Sequence, residues 1–183
     1  MKALYPYTIT MNRLLSYTIK GIIFVTIAGT ISHFVYEWSG ENPVIGLFFP
    51  VNESVWEHMK LIFFPMLLYA FHMNRELKEE YLCITCALLS GVSIGTLLIP
   101  VFFYTYSGIL GRNILTLDIA TFFASILCAF TAVYRLTLSC CKSSSSLSRL
   151  MLWGIMLIIF FFACFLLFTY CPPSLGIFSS PGE

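Results

Sequence analysis

This sequence predicts an all-α fold: a polytopic transmembrane bundle of about five helices, amino terminus inside and carboxyl terminus outside. Three observations lead there. Of the 183 residues, 58% are hydrophobic and 10% are charged, against roughly 25% charged in a soluble domain. The apolar residues gather into five runs, each near the ~20 residues needed to cross a bilayer. The basic residues divide unevenly between the two ends of those runs. Threaded as five spans, Lys2, Arg13, Lys20, Arg75, Lys78, Arg135, Lys142 and Arg149 fall on one side, and Lys60 and Arg112 on the other. Cytoplasmic loops carry the excess of Lys and Arg, so the eight-residue side is expected on the cytoplasmic face of the cell membrane. The net charge of +1 gives no case for nucleic acid.

The whole chain, 1–183, reads as one membrane domain with short loops. Span one is expected over 15–38. It is too long for a signal-peptide core, and Lys20 interrupts it. Residues 39–52 hold Gly40, Pro43, Gly46 and Pro50 and read as a turn-rich connection at the interface. Span two is expected over 53–74, capped by Asn52 or Ser54 and kinked at Pro65. Span three covers 81–104. There Ala87, Gly91 and Gly95 recur every four residues, a stripe that lets another helix approach closely, either within the chain or from a partner protein. Pro100 is expected to bend its outer end, and 106–113 to form a turn. Span four covers 114–138 and is followed by a Ser-rich loop. Span five, 150–170, is almost purely apolar and stops at Pro172 and Pro173. No internal repeat is visible, which weakens a transporter built from inverted repeats.

Ionisable groups inside spans are costly and mark function by default. His33 and Glu37 lie at the outer end of span one, Glu53, Glu57 and His58 at the outer start of span two, and Asp118 near the outer start of span four. All sit at one level, about 5–10 Å below the surface at ~1.5 Å per residue. His33 and Glu37 are four apart and share a helix face, as do Glu53 and Glu57. Imidazoles with carboxylates suit zinc or a similar divalent ion, so His33, Glu37 and His58 are the expected metal ligands. Glu57 and Asp118 are the expected catalytic acid and base. Each residue also has a purely structural reading. Glu57 fits a capping box begun by Ser54 or a pair with Lys60. Glu53 complements the helix dipole or is a solvated loop residue. Asp118 serves as packing glue, and His33 as a satisfied interior histidine.

The cysteines suggest less. Cys83 and Cys86 form CxxC, which within a membrane helix usually means two small apolar residues. Cys140 and Cys141 sit beside the membrane, where palmitoylation occurs. With one cysteine, Cys171, on the outer side, no extracytoplasmic disulfide is expected. The run from Arg75 to Glu80 reads as a solvated loop with local ion pairs.

The segment HFVYEWSGENPVIGLFFPVNESVWEHMKLIFFPML (33–67) resembles an uncharacterised family of small bacterial multi-pass membrane proteins, a domain of unknown function. Its features HF-YEWSG-N and PVNES-WEH-KL both occur here, and YSGILGRN and LDIATFF extend the resemblance over most of the chain. It implies a membrane protein with no assigned activity, so no catalytic residue is carried over. Three functions compete. One is a membrane-embedded, metal-assisted hydrolase acting on a lipid-like or peptide substrate. A second is a small proton- or cation-coupled transporter or channel subunit. The third is a non-catalytic partner protein that docks another helix through Ala87, Gly91 and Gly95. Membrane lipid surrounds the chain in all three.

Overall fold

The structure is a computed structural model that describes the backbone of residues 4–140 and 144–180. Among the described residues there are six α-helices, one 3-10 turn and no strand. Helix α1 is Leu4–Trp38, α2 Pro43–Gly46, α3 Val55–Leu77, α4 Ile84–Leu110, α5 Leu115–Leu138 and α6 Ser144–Phe168; the 3-10 turn is Gly176–Phe178. Stretches of α1, α4, α5 and α6 are long and apolar enough to cross a membrane. The expected second span, α3, does not meet that test, because it carries Glu57, Lys60, Arg75 and Glu76.

The reason lies in the packing. Helix α3 is the most deeply packed of the long helices on one face, although Leu68 and Phe71 on its other face are exposed. It packs against α1 and α4, and α5 and α6 close the bundle against α4. Ile62, Phe63, Met66 and Met73 of α3 are buried, together with Val92 of α4, Phe130 and Val133 of α5 and Phe165 of α6. By contrast α6 leaves Trp153, Ile159, Phe160 and Leu167 exposed. A helix sheathed by others can keep polar groups that a lipid-facing helix cannot.

Helix boundaries depart from the expected spans where local caps decide them. Helix α4 does not turn at Tyr106 but continues to Leu110. Thr105 and Ser107 donate their hydroxyls to the carbonyls of Val101 and Phe103, which satisfies them inside the helix. The stop is Gly111, with φ 68°, a left-handed cap that glycine adopts without strain. Helix α6 likewise starts within the Ser-rich stretch, and α1 begins well before residue 15. The charged run after His72 is not merely a solvated loop. Helix α3 continues to Leu77, and Arg13 of α1 pairs with Glu76 and Glu80, a contact across the fold.

The small-residue stripe is filled from within the chain. Ala87, Gly91 and Gly95 are buried. A Cβ at Gly91 would press into Val133 and lie 3.2 Å from Met66 Cε and 3.3 Å from the Ala129 carbonyl oxygen; one at Gly95 would lie 3.0 Å from Ala129 Cβ. This face therefore seats α3 and α5. Gly91→Leu should lower the thermal midpoint in detergent, because overpacking costs about 1–3 kcal/mol. Gly108→Leu on the same helix meets nothing within 4 Å and should not. Equal midpoints for the two variants would mean that the stripe is loosely packed.

Cys83 and Cys140 are joined by a disulfide, with Cα atoms 6.0 Å apart. This departs from the reading of Cys83 as a small apolar residue within a membrane helix. The loop after α3 and the end of α5 meet at one end of the bundle, so Cys83 finds a partner 57 residues away. Cys141, a palmitoylation candidate, lies outside the described residues, as do Lys2 and Lys142.

Candidate metal centre

The site forms where the end of α1 meets the starts of α3 and α5. Its backbone is set by a relay of caps. Asn42 accepts from the Val44 N–H and starts α2, which turns the chain back toward the bundle. Asn52 Oδ1 accepts from the Ser54 N–H, and Ser54 Oγ accepts from the Glu57 N–H as the N-cap of α3. These bonds satisfy the free N–H groups of the helix start. They also hold Glu53 just outside α3.

Three side chains converge there. Glu53 Oε2 lies 3.5 Å from His33 Nε2 and 3.4 Å from His58 Nε2, and the two imidazole rings are 5.3 Å apart between centroids. One donor atom from each residue falls within 4.8 Å of the others. These nitrogen–oxygen distances are long for hydrogen bonds, which run about 2.7–3.2 Å. The two have the length of edges of a coordination tetrahedron, and the third edge, between the histidines, lies within 4.8 Å. With metal–ligand bonds of about 2.0–2.2 Å, adjacent ligand atoms sit about 3.3–3.6 Å apart.

The tautomer of His58 agrees. Its Nδ1 lies 2.9 Å from the Ser54 carbonyl oxygen, which can accept but not donate. Nδ1 therefore carries the hydrogen, and in the neutral ring Nε2 presents a lone pair toward Glu53. A carbonyl that orients a histidine in this way is the usual outer support of a metal-binding imidazole. When His58 is also protonated at Nε2, its long hydrogen bond, aided by the charges of both histidines, holds the Glu53 carboxyl below the ordinary carboxylate range against its partial burial. Glu53 is thus ready to ligate as the anion.

The trio stands at the rim of a cavity of about 580 Å³ that reaches between α1, α3, α4 and α5. Asp118 lines the same cavity, and its carboxylate accepts a hydrogen bond from the Tyr106 hydroxyl.

The sequence pattern of a Family of unknown function (DUF6512) covers residues 7–181. The chain belongs to that family. No curated protein and no solved structure matches it.

In this DUF6512 chain the five residues singled out from sequence divide. His33, His58 and Asp118 share the cavity wall. Glu37 does not; it is exposed on the last turn of α1 and lies off the wall. Its expected place beside His33 is taken by Glu53, which α2 and the turns after it return to the level of the two histidines. Glu57 also points elsewhere. Adjacent residues on a helix diverge by about 100°, so Glu57 and His58 cannot face one cavity. Glu57 is buried against Lys60, with Oε2 2.7 Å from Nζ, and it accepts from the Val51 N–H at 3.0 Å. The capping reading of Glu57 is therefore half right. Ser54 caps the Glu57 N–H, but the carboxylate reaches back to Val51 rather than to Ser54. Position along the chain puts Glu53 at this level and suggests a dipole or loop role; the Asx turn at Asn52, which holds the preceding chain over the helix start, sets it beside the histidines instead.

Proposed function

We propose that this DUF6512 chain is a multi-pass integral protein of the cell membrane, with α3 as its fifth span. It holds a divalent cation, zinc by ligand chemistry, on His33, Glu53 and His58. The carrying observation is the pair of 3.4 and 3.5 Å distances around Glu53, together with the Ser54 carbonyl that engages Nδ1 of His58 and so turns Nε2 toward Glu53. Three protein ligands leave a fourth position for water, the arrangement of catalytic rather than structural zinc. A divalent ion there lowers the pKa of a coordinated water toward neutrality.

Asp118, in the same cavity, is the group placed to carry protons. In a hydrolysis the water oxygen bonds to the electrophilic centre of the substrate, the scissile bond breaks, and Asp118 passes the water's proton to the leaving group. Tyr106 orients Asp118 for this. Docking of a partner through Ala87, Gly91 and Gly95 is disfavoured, since α3 and α5 occupy that face. The test is elemental analysis of protein purified without chelator. About one ion per chain is expected, with uptake of zinc after stripping. Protein that is empty and takes up no zinc would retire the proposal.

Two observations bear on orientation and oppose each other. The eight-to-two division of Lys and Arg favours an inner amino terminus. The Cys83–Cys140 disulfide favours an oxidising compartment at that same end. We infer the inner amino terminus, because the basic residues of several loops agree. Reporter fusions at Gly46, Lys78, Gly111, Ser145 and the carboxyl terminus should read out, in, out, in, out. A cytoplasmic signal at Gly46 reverses the assignment.

A further inference from the structure

We propose that the cavity takes the acyl chain of a membrane lipid, which enters sideways between α1 and α5 and brings its head group to the metal site. This rests on the proposed metal centre and names the substrate class for it. The first support is a gradient along the cavity wall. At its rim stand His33, Glu53, His58 and Asp118. One turn deeper, about 5.4 Å, the wall is Gly29 below His33, Leu61 below His58 and Phe122 below Asp118. Thr30 and Thr121 stand at the same depth, and the Thr30 hydroxyl donates to the Thr26 carbonyl of its own helix. The lining thus changes within a single turn from ionisable to uncharged and mostly apolar. A lipid in one leaflet carries the same order from head to tail. A water-soluble substrate would leave the deep half of the wall unmatched.

The second support is where the wall is open. Phe34 on α1 is 45% exposed, and Leu115, Ile119 and Phe123 on α5 are 73%, 50% and 42% exposed, yet all four also line the cavity. The three α5 residues recur at every fourth position, so they form one stripe that is cavity wall on one edge and outer surface on the other. On a membrane-spanning helix that outer surface touches lipid, so the opening faces acyl chains. The inner wall is sealed from lipid: Ile99 and Leu61 are each 5% exposed. At Gly29 an added Cβ would lie 2.5 Å from the Leu61 carbonyl oxygen and 2.7 Å from the Phe122 ring, so α1 closes the deep end against α3 and α5. The volume, about 580 Å³, lies within the ~300–1,000 Å³ of ligand pockets.

The buried wall makes the test decisive. The full chain is placed in nanodiscs that contain phosphatidylcholine with a diazirine on one acyl chain, irradiated, and mapped by peptide mass spectrometry. Leu127, 52% exposed on α5, reports ordinary lipid contact. Labelling of Ile99 or Leu61 is expected beside that of Leu127, because lipid reaches those two residues through the cavity. Ile119→Trp, which narrows the opening, should cut the buried labels about tenfold, equivalent to about 1.4 kcal/mol of lost binding, and spare Leu127. Metal content is measured on the same samples. Metal-loaded protein labelled at Leu127 but not at Ile99 or Leu61 overturns the acyl-chain proposal and leaves the metal centre standing. Buried labels in protein that binds no metal overturn the metal centre and retain the lipid cavity. Buried labels unchanged by Ile119→Trp overturn entry between α1 and α5.

Discussion

Glu53→Gln should empty the metal site while Glu37→Gln leaves it filled. The two residues separate what spacing proposes from what the fold assembles. Glu37 is four residues from His33 on one helix, the expected ligand by periodicity, yet it is exposed and away from the cavity. Glu53 is 20 positions downstream of His33 and stands within 3.5 Å of it. Altering an outer-shell partner of a metal ligand already costs about 10–100-fold in affinity. Removing one of three direct ligands should exceed that, so zinc should dissociate during chelator-free purification of Glu53→Gln, His33→Ala and His58→Ala. Elemental analysis and zinc titration measure it. Retention by Glu53→Gln and loss by Glu37→Gln would reassign the ligand to α1 and refute the geometry described here.

Lys60→Met should be strongly destabilising. The Lys60 side chain is fully buried, and all three of its ammonium hydrogens are used. They go to the Gly46 carbonyl at 2.9 Å, Glu57 Oε2 at 2.7 Å and Thr169 Oγ1 at 2.7 Å. These acceptors belong to the end of α2, the first turn of α3 and the segment just after α6, so one cation ties three elements together. Truncating it strands the Glu57 carboxylate, and breaking a buried pair from one side costs about 3–5 kcal/mol. Replacing both charges removes the stranded anion, so Lys60→Met with Glu57→Gln should recover most of the lost thermal stability. Glu57 also accepts from the Val51 N–H, two residues before Glu53. The single variant should therefore loosen the metal site as well. A Lys60→Met protein that melts with the wild type would show that the pair contributes little.

The amino-acid sequence by itself determined the helical class, four of the five long helices as apolar runs, and the level at which His33, Glu53, His58 and Asp118 lie. The physical reason is that bilayer thickness and helical rise are fixed. Counting residues along a helix therefore gives depth, and the expected fourth span, 114–138, differs from α5 by one residue. Depth does not give direction around a bundle. Whether Glu57 faces the cavity or Lys60, and whether His33 meets Glu37 or Glu53, depends on how the helices are rotated and on the path of the connection between α1 and α3. That path is decided by the Asn42 cap, the Asx turn at Asn52 and the buried ammonium of Lys60. The same holds for Cys83, whose partner Cys140 is 57 residues away, and for α3, whose buried Glu57 and Lys60 find their further partners only once the elements around it are in place. Tertiary packing settles these points because a polar group in an apolar medium must find its partner in space, and periodicity along the chain carries no record of which helix supplies it.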